Sequence, residues 1–534
     1  MSASYPPLIE ALRDPARYPH PVGHVEIVET HISWVLLTGH YAYKIKKPVD
    51  LGFLDFSTLD KRREYCAAEL RLNRRLAPQI YLNVVAITGS PHAPALGRAG
   101  TPFEYAVKMA QFPQSAQLDR VAARGQLRRE HMDQLAVELA AFHGRIEAAG
   151  PDSPFGTPEH VFEPVTENFR QIRARVGPEL HAQLDRLENW SRLQYTLLTP
   201  TFLARKRDGF VRECHGDAHL ANMALLDGEI VLFDCIEFND NLRWIDVMNE
   251  LAFTVMDLDD RGHPELGRRL LNTYLEITGD YAGLTAFRFY QVYRACVRAK
   301  VAAIRLSQPG IDSAELELAL AAYRGYADLA ERYTRPTAAI LLLMQGLSGT
   351  GKTALSGTLL EQMDLIRLRS DVERKRLHGL ATMADSHSEV ASGMYGDAAS
   401  VQTYNRLAEL STTLLHAGFS VIVDAAFLRR PQRQLFSEIA RAAGVPWAIL
   451  TLQAPEALLR ERIVQRRDRG EDASEATAQV LAHQLQSAEA LSTEERTHAI
   501  YVDAAKPFRI ADLRAMIDAR AALPLVGDNR TEPA

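Results

Sequence analysis

An eight-residue segment near residue 350 constrains the carboxy-terminal third of the chain more than any other stretch. Its members match the pattern G-x-x-x-x-G-K-[ST]: Gly346, Leu347, Ser348, Gly349, Thr350, Gly351, Lys352 and Thr353. The apolar run Ala338–Met344 precedes it, and a segment with helical spacing follows. Glycines let such a loop turn successive backbone N–H groups towards a phosphate, and the next helix adds the positive end of its dipole. We expect these eight residues to bind a nucleoside triphosphate, with Lys352 at the β- and γ-phosphates and the Thr353 hydroxyl on Mg²⁺.

The composition describes an ordinary folded protein that is too long for one core. The chain has 534 residues, of which 47% are apolar and 24% charged, so two or three domains are expected. The net charge of −6 argues against a surface that coats nucleic acid, although a local basic patch stays open. We find neither a signal-type amino terminus nor an apolar run of membrane-spanning length, and therefore expect a cytoplasmic protein without a membrane partner. The cysteines lie too far apart to suggest a zinc site or a disulfide framework: Cys66, Cys214, Cys235 and Cys296.

Strand and helix signals alternate from about residue 336 onwards, after the short junction Arg335-Pro336-Thr337. The predicted strands are short apolar runs: Ala338–Met344, Leu365–Leu368, Ser420–Val423, Trp447–Leu452 and Ala499–Val502. This order predicts an α/β P-loop domain with a parallel sheet over residues 336–522, followed by a tail at 523–534.

Two aspartates follow strands of this predicted sheet. Asp371 comes after the second strand, with Arg374 one helical turn further on. Because the carboxyl ends of parallel strands face the ligand crevice, Asp371 is a candidate catalytic base for an acceptor hydroxyl. A helix N-cap is the other interpretation of Asp371. Asp424 directly follows the strand Ser420–Val423 and is a candidate Mg²⁺ partner of the phosphate-binding loop.

A basic stretch near residue 465 is a candidate closing lid. Arg462, Arg466 and Arg469 precede the turn Gly470-Glu471-Asp472. Such a lid would bring Arg466 and Arg469 to the transferring phosphoryl group, which would make both residues catalytic. The same spacing is typical of a solvated helix face, so both interpretations stay open.

The amino-terminal segment contains strands, one helix and further strands. The predicted strands are Val25–Val28, Ile32–Leu37, Tyr41–Ile45, Val84–Ile87 and Phe103–Phe112. Ser57-Thr58-Leu59-Asp60 indicates the start of a helix that apolar positions carry to about Leu76. This order suits the small lobe of a protein-kinase-like fold.

One strand of this segment carries a candidate phosphate-binding lysine. Ala42-Tyr43-Lys44 has the A-x-K spacing of the kinase strand motif, and strand alternation puts Ala42 and Lys44 on one face. Lys46 shares that face and is the competitor. Glu69 could pair with the lysine from the following helix, with Glu64 as the alternative. No Gly-rich loop precedes the strand, so the turn Glu29-Thr30-His31-Ile32-Ser33 would cover the phosphates, through the Ser33 hydroxyl and backbone N–H groups.

A second informative stretch lies near residue 217. His215, Asp217 and Asn222 form H-x-D-x-x-x-x-N, the spacing of a kinase catalytic loop, and a hairpin-like run then ends in Asp234. In this interpretation Asp217 accepts the proton of an attacking hydroxyl, while Asn222 and Asp234 bind Mg²⁺. Phosphoryl transfer depends mainly on in-line positioning and charge neutralisation, which these groups would supply. We expect His219 to be a structural hydrogen-bonding residue.

Residues from about 24 to 330 resemble the aminoglycoside-phosphotransferase-like kinases, whose hallmark loop stands here as His215-Gly216-Asp217 with Asn222. The resemblance implies a bilobal α+β protein-kinase-like domain over residues 1–335, with a small lobe at about 24–112 and a large lobe at about 113–335. It implies ATP and Mg²⁺ as cofactors and transfer to a hydroxyl of a small polar molecule.

Position by position, this resemblance makes Asp217 the base, Asn222 and Asp234 the metal ligands and Lys44 the phosphate lysine. It also implies an adenine hinge near Gln111. Two departures from the family pattern stand out: the phosphate turn lacks glycines, and Asp234 is followed by Cys235-Ile236-Glu237 instead of Phe-Gly.

The carboxy-terminal segment resembles the P-loop kinase group that contains gluconate kinases, chloramphenicol phosphotransferase, zeta toxins and polynucleotide 5′-kinases. The matching features are Gly346–Thr353, Asp371 with Arg374, Asp424 and the Arg462–Arg469 lid. The fused order is similar to bacterial bifunctional proteins described as aminoglycoside phosphotransferase plus ATP-binding protein.

Together these features predict a Mg-ATP-dependent phosphotransferase with two ATP-binding domains of different fold, each acting on a hydroxyl of a small metabolite. A polynucleotide end kinase or repair ATPase built on the carboxy-terminal domain is one alternative. A P-loop ATPase regulated by a non-catalytic, ligand-sensing kinase-like domain is the other. The sequence leaves open the acceptors, the activity of each domain and the oligomeric state.

Overall fold

The computed structural model describes residues 5–50, 52, 54–308, 310–381, 396–469 and 477–521, without the side chains of 466–469. These residues divide into two units. The first unit contains Met1–Gly262 and Phe289–Tyr333, and the second contains His263–Arg288 and Thr334–Ala534. Among the helices of the described ranges, we find none that combines the length and the apolar character needed to cross a membrane.

A six-stranded antiparallel sheet opens the first unit, in the spatial order β1-β2-β3-β6-β4-β5. Its strands are β1 (Glu26–Glu29), β2 (Ser33–Leu37), β3 (Tyr41–Lys46), β4 (Tyr81–Ser90), β5 (Ala93–Leu96) and β6 (Glu104–Ala110). The helix α1 (Pro7–Ala11) precedes the sheet, and α2 (Leu59–Asn73) packs on β4 and β6. The Thr58 side chain caps α2 by accepting from the Lys61 N–H, as the sequence indicated.

The central strand β3 sets the register of the candidate lysine. Lys44 lies opposite Val35 of β2 and Val107 of β6, so both neighbours hold it in place. Alternation along the strand puts Lys44 and Lys46 on the same face, as expected from the period of two. Tyr43 and Ile45 point to the other face and are fully buried in the core of the sheet.

Helices dominate the remainder of the first unit. This part contains α3 (Leu118–Ala123), α4 (Arg129–Arg145), α5 (Pro158–Arg173), α6 (His181–Arg207), β7 (Val211–Glu213), β8 (Met223–Leu226), β9 (Glu229–Leu232), β10 (Trp244–Asp246) and α7 (Val247–Asp260). Antiparallel pairing joins β7 to β10 and β8 to β9. The candidate catalytic segment runs between β7 and β8, and Asp234 follows the end of β9.

The next helix belongs to the second unit, although a boundary near residue 335 was expected. Helix α8 (Pro264–Thr278) packs on the carboxy-terminal sheet, because Asn272 donates to the Leu365 carbonyl and accepts from the Arg367 N–H. Two long helices, α9 (Leu284–Leu306) and α10 (Ser313–Thr334), then follow, and the first unit ends at Tyr333. The P-loop unit therefore includes residues that sequence reasoning assigned to the kinase-like domain.

A five-stranded parallel sheet forms the centre of the second unit, in the order β12-β13-β11-β14-β15. Its strands are β11 (Leu341–Gln345), β12 (Leu365–Arg369), β13 (Ser420–Asp424), β14 (Trp447–Gln453) and β15 (Ala499–Asp503). The helices are α11 (Lys352–Gln362), α12 (Ser370–Leu377), α13 (Asp397–His416), α14 (Arg430–Ala442), α15 (Glu456–Arg469), α16 (Ala478–Ser487), α17 (Thr493–Thr497) and α18 (Ile510–Ala521). Leu342, Ile422 and Leu450 are fully buried, as the apolar runs of a parallel sheet require. The predicted α/β class is confirmed.

Candidate functional site

One face of α7 holds the backbone of the catalytic-loop segment. Glu250 accepts from the N–H groups of His215 (3.1 Å) and Gly216 (2.6 Å). One turn on, the Thr254 hydroxyl donates to the Ala218 carbonyl (2.7 Å), and Asp257 accepts from the Leu220 N–H (2.8 Å). The spacing 250, 254, 257 places all three side chains on one helical stripe. Sequence reasoning missed these residues, although three polar positions at helical spacing within an apolar helix were the available signal.

The glycine of the loop is required by its surroundings. Gly216 has φ +87°, and a Cβ there would lie 2.8 Å from the Leu242 carbonyl oxygen. An L-residue would therefore suffer both backbone strain and a clash with main chain. Burial acts to raise the pKa of Glu250, but its contacts with His143 and His215 and the Gly216 N–H lower it to about 2. The carboxylate thus stays ionised beneath the loop.

Asp217 and Asn222 contact each other directly. The Asn222 amide nitrogen donates to the Asp217 carboxylate (2.9 Å) and to the Asp217 carbonyl (3.1 Å). The amide oxygen is then the atom that could bind a metal. His219 Nε2 lies 3.4 Å from the Asp217 carboxylate, and Arg298 lies 3.4 Å from the same nitrogen. Burial acts to raise the pKa of Asp217, but His219 and Arg298 outweigh it and hold the pKa below its usual range.

Asp234 stands in a special backbone conformation beside Lys44. Its φ of 63° is left-handed, a region that aspartate visits more readily than most residues. The Tyr81 hydroxyl accepts from the Asp234 N–H (3.1 Å), which fixes this turn after β9. The Lys44 Nζ lies 2.5 Å from the Asp234 carboxylate and 2.8 Å from Glu69. Burial acts to lower the pKa of Lys44, but both carboxylates raise it above its usual value.

The competing residues of the sequence interpretation have different surroundings. Lys46 is fully buried, where its Nζ contacts Glu69 (2.7 Å) and forms a shorter ion pair with Glu237. Only Lys44 of the two lysines reaches Asp234 among the described contacts, and Glu64 is exposed. The geometry therefore favours Lys44 with Glu69 over Lys46 and Glu64 for the phosphate-binding role, which stays a prediction.

A cavity of about 1,700 Å³ brings these groups together in the first unit. Its wall includes most of the predicted site residues: Ser33, Lys44, Gln111, Asp217 and Asp234. The Ser33 hydroxyl lies 3.0 Å from the Thr30 hydroxyl, within the turn that precedes β2. Gln111 accepts from the Gly39 N–H through its side chain, and its own N–H donates to the His40 carbonyl (3.0 Å). The Gln111 N–H is therefore already engaged within the chain, and an adenine hinge near Gln111 stays a prediction.

The phosphate-binding loop of the second unit lies between β11 and α11. Gly349 has φ +85°, and a Cβ there would lie 2.7 Å from the Leu459 carbonyl oxygen. Gly351, with φ +89°, is the left-handed residue that caps α11. The Lys352 Nζ donates to the carbonyls of Gly346 (2.8 Å) and Leu347 (3.0 Å), so the side chain lies over the loop. The loop thus has the closed backbone geometry that its pattern predicts.

A cavity of about 380 Å³ adjoins this loop, and its wall includes Lys352, Thr353, Asp371 and Asp424. Asp424 is buried at the end of β13 and accepts from the Ser356 hydroxyl of α11 (3.2 Å). The Asp371 carboxylate lies 3.6 Å from the Arg374 guanidinium on α12. The structure therefore brings the predicted Mg²⁺ ligands and the predicted base to one cavity.

Two further features concern the edge of this cavity. The Gln484 side chain of α16 accepts from the Ser348 N–H (2.8 Å), a contact that no sequence signal indicated. Arg462 lines the cavity and donates to the Ala504 carbonyl (2.9 Å). The side chains of Arg466 and Arg469 lie outside the described residues, so the lid interpretation stays a prediction.

The donors and acceptors of both cavities fit a nucleotide and Mg²⁺. The carboxylate and amide oxygens of Asp234 and Asn222 are hard ligands of the kind that Mg²⁺ prefers, and Lys44 is the cation beside them. In the second unit, Thr353 and Asp424 supply hydroxyl and carboxylate oxygens beside the loop. A helix N-terminus and a glycine-lined backbone cradle add the anion site there.

Known families match both units. The family described as "Phosphotransferase enzyme family" matches residues 54–290, and the family described as "AAA domain" matches residues 341–491. These matches confirm the bilobal kinase-like domain and the P-loop domain, and they show a kinase-like phosphotransfer protein. Both families generally use ATP with Mg²⁺.

Relatives of similar length are found in mycobacteria. An uncharacterized protein of Mycobacterium tuberculosis (strain H37Rv), Rv2004c, is 30% identical over 467 residues, which cover 87% of this chain and 91% of that protein. The Mycobacterium bovis protein Mb2027c, also uncharacterized, matches equally well.

Among solved structures, a choline/ethanolamine kinase family protein from Mesorhizobium loti is 12% identical (61% of this chain, 99% of that chain, TM-score 0.36). A gluconokinase from Sinorhizobium meliloti 1021 is 20% identical (35% and 92%, TM-score 0.24). The chain belongs to the same family as the mycobacterial proteins, and in it a phosphotransferase-family domain is followed by a P-loop kinase-like domain.

Proposed function

We propose that the first unit transfers the γ-phosphoryl group of Mg-ATP to a hydroxyl group of a small polar molecule. The observation that carries this proposal is that Lys44, Asp217 and Asp234 line one cavity, with Asn222 hydrogen-bonded to Asp217 behind them. Residues of helices α5 and α9 line the same cavity as Asp217, so the acceptor would lie between these helices and Asp217.

Each residue has a defined task in this proposal. Asp217 orients the acceptor hydroxyl and accepts its proton, while Lys44 binds the phosphates and Glu69 holds the lysine in place. Asn222 and Asp234 would hold Mg²⁺, which would supply charge neutralisation at the phosphates. In the reaction the hydroxyl oxygen bonds to the γ-phosphorus and the bond from that phosphorus to the β–γ bridging oxygen breaks, so that ADP leaves. The low pKa of Asp217 keeps the carboxylate ionised and ready to align the hydroxyl at neutral pH.

The second unit is proposed to catalyse the same type of transfer with different parts. Lys352 and the backbone N–H groups of the loop bind the phosphates, Thr353 and Asp424 hold Mg²⁺, and Asp371 meets the acceptor hydroxyl. Arg374, at 3.6 Å from Asp371, holds that carboxylate in position. The two units then act as two phosphotransferases on one chain.

A transfer assay on the full chain tests the proposal. A library of hydroxyl metabolites is incubated with γ-labelled ATP and Mg²⁺, and products are identified by mass spectrometry. We expect Asp217→Asn to lower the rate at which one set of products forms by a factor of about 10³. Lys352→Ala should abolish formation of the other set. The exposed Asp208→Asn, whose carboxylate pairs with Arg207, serves as the matched control.

The double variant decides the outcome. Asp217→Asn with Lys352→Ala should leave no phosphorylated product above background. If the double variant retains transfer, the active groups lie elsewhere and the proposal is wrong. If only Lys352→Ala has an effect, the first unit is not a phosphotransferase.

A further inference from the structure

One face of α9 lines the cavity of the first unit beyond Asp217. The lining positions recur at helical spacing: Tyr293, Val297, Lys300, Val301 and Ile304. Helix α5 and the turn after it add a second wall: Glu163, Glu167, Asn168, Arg170, Gln171 and Arg175. The charges on these two walls decide which acceptors the cavity can hold.

Two cations of these walls have no carboxylate partner among the described residues. Lys300 is half-buried, and no Asp or Glu oxygen of the described chain lies within 4 Å of its Nζ. Arg175 donates to the Gln171 carbonyl (2.8 Å) and likewise has no ion pair with a described residue. Burial lowers the pKa of Lys300 to about 8, although the charges of Glu167 and Asp217 act to raise it; the positive charge of Arg175 adds to the lowering. A half-buried ammonium beside a second cation is costly unless an anion joins them.

The acidic groups of the same walls are already engaged or lie at the rim. Glu167 already accepts hydrogen bonds from Arg170 (2.6 Å) and Gln171 (2.5 Å). Glu163 is exposed. A cationic group that extends from Asp217 towards these two walls would therefore meet Lys300 and Arg175, while the Glu167 carboxylate is already paired with Arg170.

Asn168 is a second, independent indication of a ligand-binding position in this cavity. It is 1% exposed, it lines the cavity, and its amide nitrogen has no hydrogen-bond partner in the described part of the chain. A buried N–H donor without an acceptor is unfavourable, so such groups usually face a ligand or water. An oxyanion next to Lys300 would supply the acceptor oxygen.

We propose that the acceptor of the first unit carries an oxyanion, a carboxylate or a phosphate, bound by Lys300, Arg175 and Asn168 while its hydroxyl lies at Asp217. This inference rests on the proposed function and names the substrate class of that site.

Binding to the full chain, saturated with AMP-PNP and Mg²⁺, tests the inference. Calorimetry compares four hexoses that differ in one group: D-glucose, D-glucosamine, D-glucuronate and D-glucose 6-phosphate; inorganic phosphate is a fifth probe. We expect at least one of the three anions to bind tenfold or more tightly than glucose, and glucosamine to bind no better than glucose. The carboxylate and phosphate arms identify which oxyanion is preferred. Equal binding of all five probes, no binding of the anions, or a preference for glucosamine overturns the inference.

Variants of the cavity residues test whether the anion binds in this cavity. Lys300→Met and the isosteric Asn168→Asp should each weaken binding of the anion by tenfold or more, while Lys300→Arg should restore it to within threefold. The exposed Lys506→Met is the matched control and should change nothing. Unchanged anion binding in Lys300→Met contradicts the inference, provided that circular dichroism gives the unaltered melting curve. The Lys300→Arg result then separates loss of charge from loss of fold.

A separate readout distinguishes failure of the inference from failure of the proposed function. In a Lys352→Ala background, AMP-PNP and Mg²⁺ should still bind the first unit. If the nucleotide binds and the anions do not, only the inference is wrong. If the nucleotide does not bind, the proposed function is wrong as well.

Discussion

His215 donates a hydrogen bond from Nε2 to the Phe233 carbonyl oxygen at 2.9 Å. Because a carbonyl only accepts, Nε2 carries the proton, and the other ring nitrogen, Nδ1, accepts from the Asp217 N–H at 3.3 Å. Burial lowers the pKa of His215, which keeps the ring neutral and this tautomer in place. Since Phe233 directly precedes Asp234, one imidazole joins the segments that carry the proposed base and the proposed metal ligand.

The two hydrogen bonds of the His215 ring predict that replacing His215 lowers kcat without weakening the binding of ATP. His215→Phe keeps a ring of similar shape but removes both hydrogen bonds, so the Asp217 and Asp234 segments lose their common support. A displacement of about 1 Å costs on the order of 10² in rate. We expect kcat of the first unit to fall about 100-fold and KM for ATP to change less than threefold. Steady-state kinetics in a Lys352→Ala background measure both, and an unchanged kcat would contradict the prediction.

Glu250→Gln should loosen the catalytic loop in a pH-dependent way. The pKa of Glu250 is about 2 in the folded chain and 4.5 in its model peptide, so its contribution is complete above about pH 4.5 and declines as the pH falls towards 2. We expect amide hydrogen exchange of residues 213–222 to be at least tenfold faster in Glu250→Gln than in wild type at pH 7. The difference should shrink as the pH is lowered to 3, because the carboxylate is then protonated in the opened state and much of the stabilisation of the closed loop is lost. A difference that stays constant over this range would show that the charge of Glu250 does not hold the loop.

Gln484→Ala should strengthen nucleotide binding at the phosphate-binding loop. The Gln484 oxygen occupies the Ser348 N–H, a donor that a phosphate would otherwise use. Breaking a side-chain hydrogen bond of this kind is worth about 0.5–1.5 kcal/mol, which corresponds to roughly a two- to tenfold lower Kd for AMP-PNP. Titration calorimetry provides the measurement, with the exposed Gln465→Ala as the control. Weaker binding in Gln484→Ala would instead make Gln484 part of the nucleotide site.

Asn272→Leu should destabilise the second unit. The Asn272 side chain satisfies two main-chain groups of the edge strand β12, the Leu365 carbonyl and the Arg367 N–H. Leucine leaves both without that partner, at about 1–3 kcal/mol each. AMP-PNP bound at the loop of Lys352 should shift the calorimetric unfolding transition of the second unit, which identifies that transition. We expect it to move several degrees lower in Asn272→Leu. Ile277→Ala, at an exposed position of the same helix, should leave it in place; equal transitions in both variants would contradict the packing of α8.

Much of the architecture could be predicted because it depends on local patterns. Apolar runs predicted the five parallel strands of the second unit to within a few residues, and the glycine pattern predicted the loop between β11 and α11. The helix start at Thr58 followed from capping chemistry. In the first sheet only the short strand β5 was missed, because Ala93–Leu96 contains a proline and lies outside the β-branched and aromatic preference.

The parts that could not be predicted depend on contacts between distant segments. Nothing local in Asn272 or Gln484 indicates that one covers a strand edge and the other reaches the phosphate-binding loop. The choice between Lys44 and Lys46 also needed the fold, since both share a face of β3 and only the position of Asp234 separates them. The predicted boundary near residue 335 left α8 with the kinase-like domain. A short junction in the sequence does not reveal that α8 packs on the carboxy-terminal sheet, and this packing makes it part of the second unit.

Equilibrium dialysis with AMP-PNP and Mg²⁺ tests the central claim, that each unit binds its own nucleotide. The account predicts two sites per chain in wild type, one site in Lys352→Ala, one site in Lys44→Met and none in the double variant. A stoichiometry of one that Lys352→Ala alone abolishes would contradict it, because the Lys44, Asp217 and Asp234 cavity would then not be a nucleotide site.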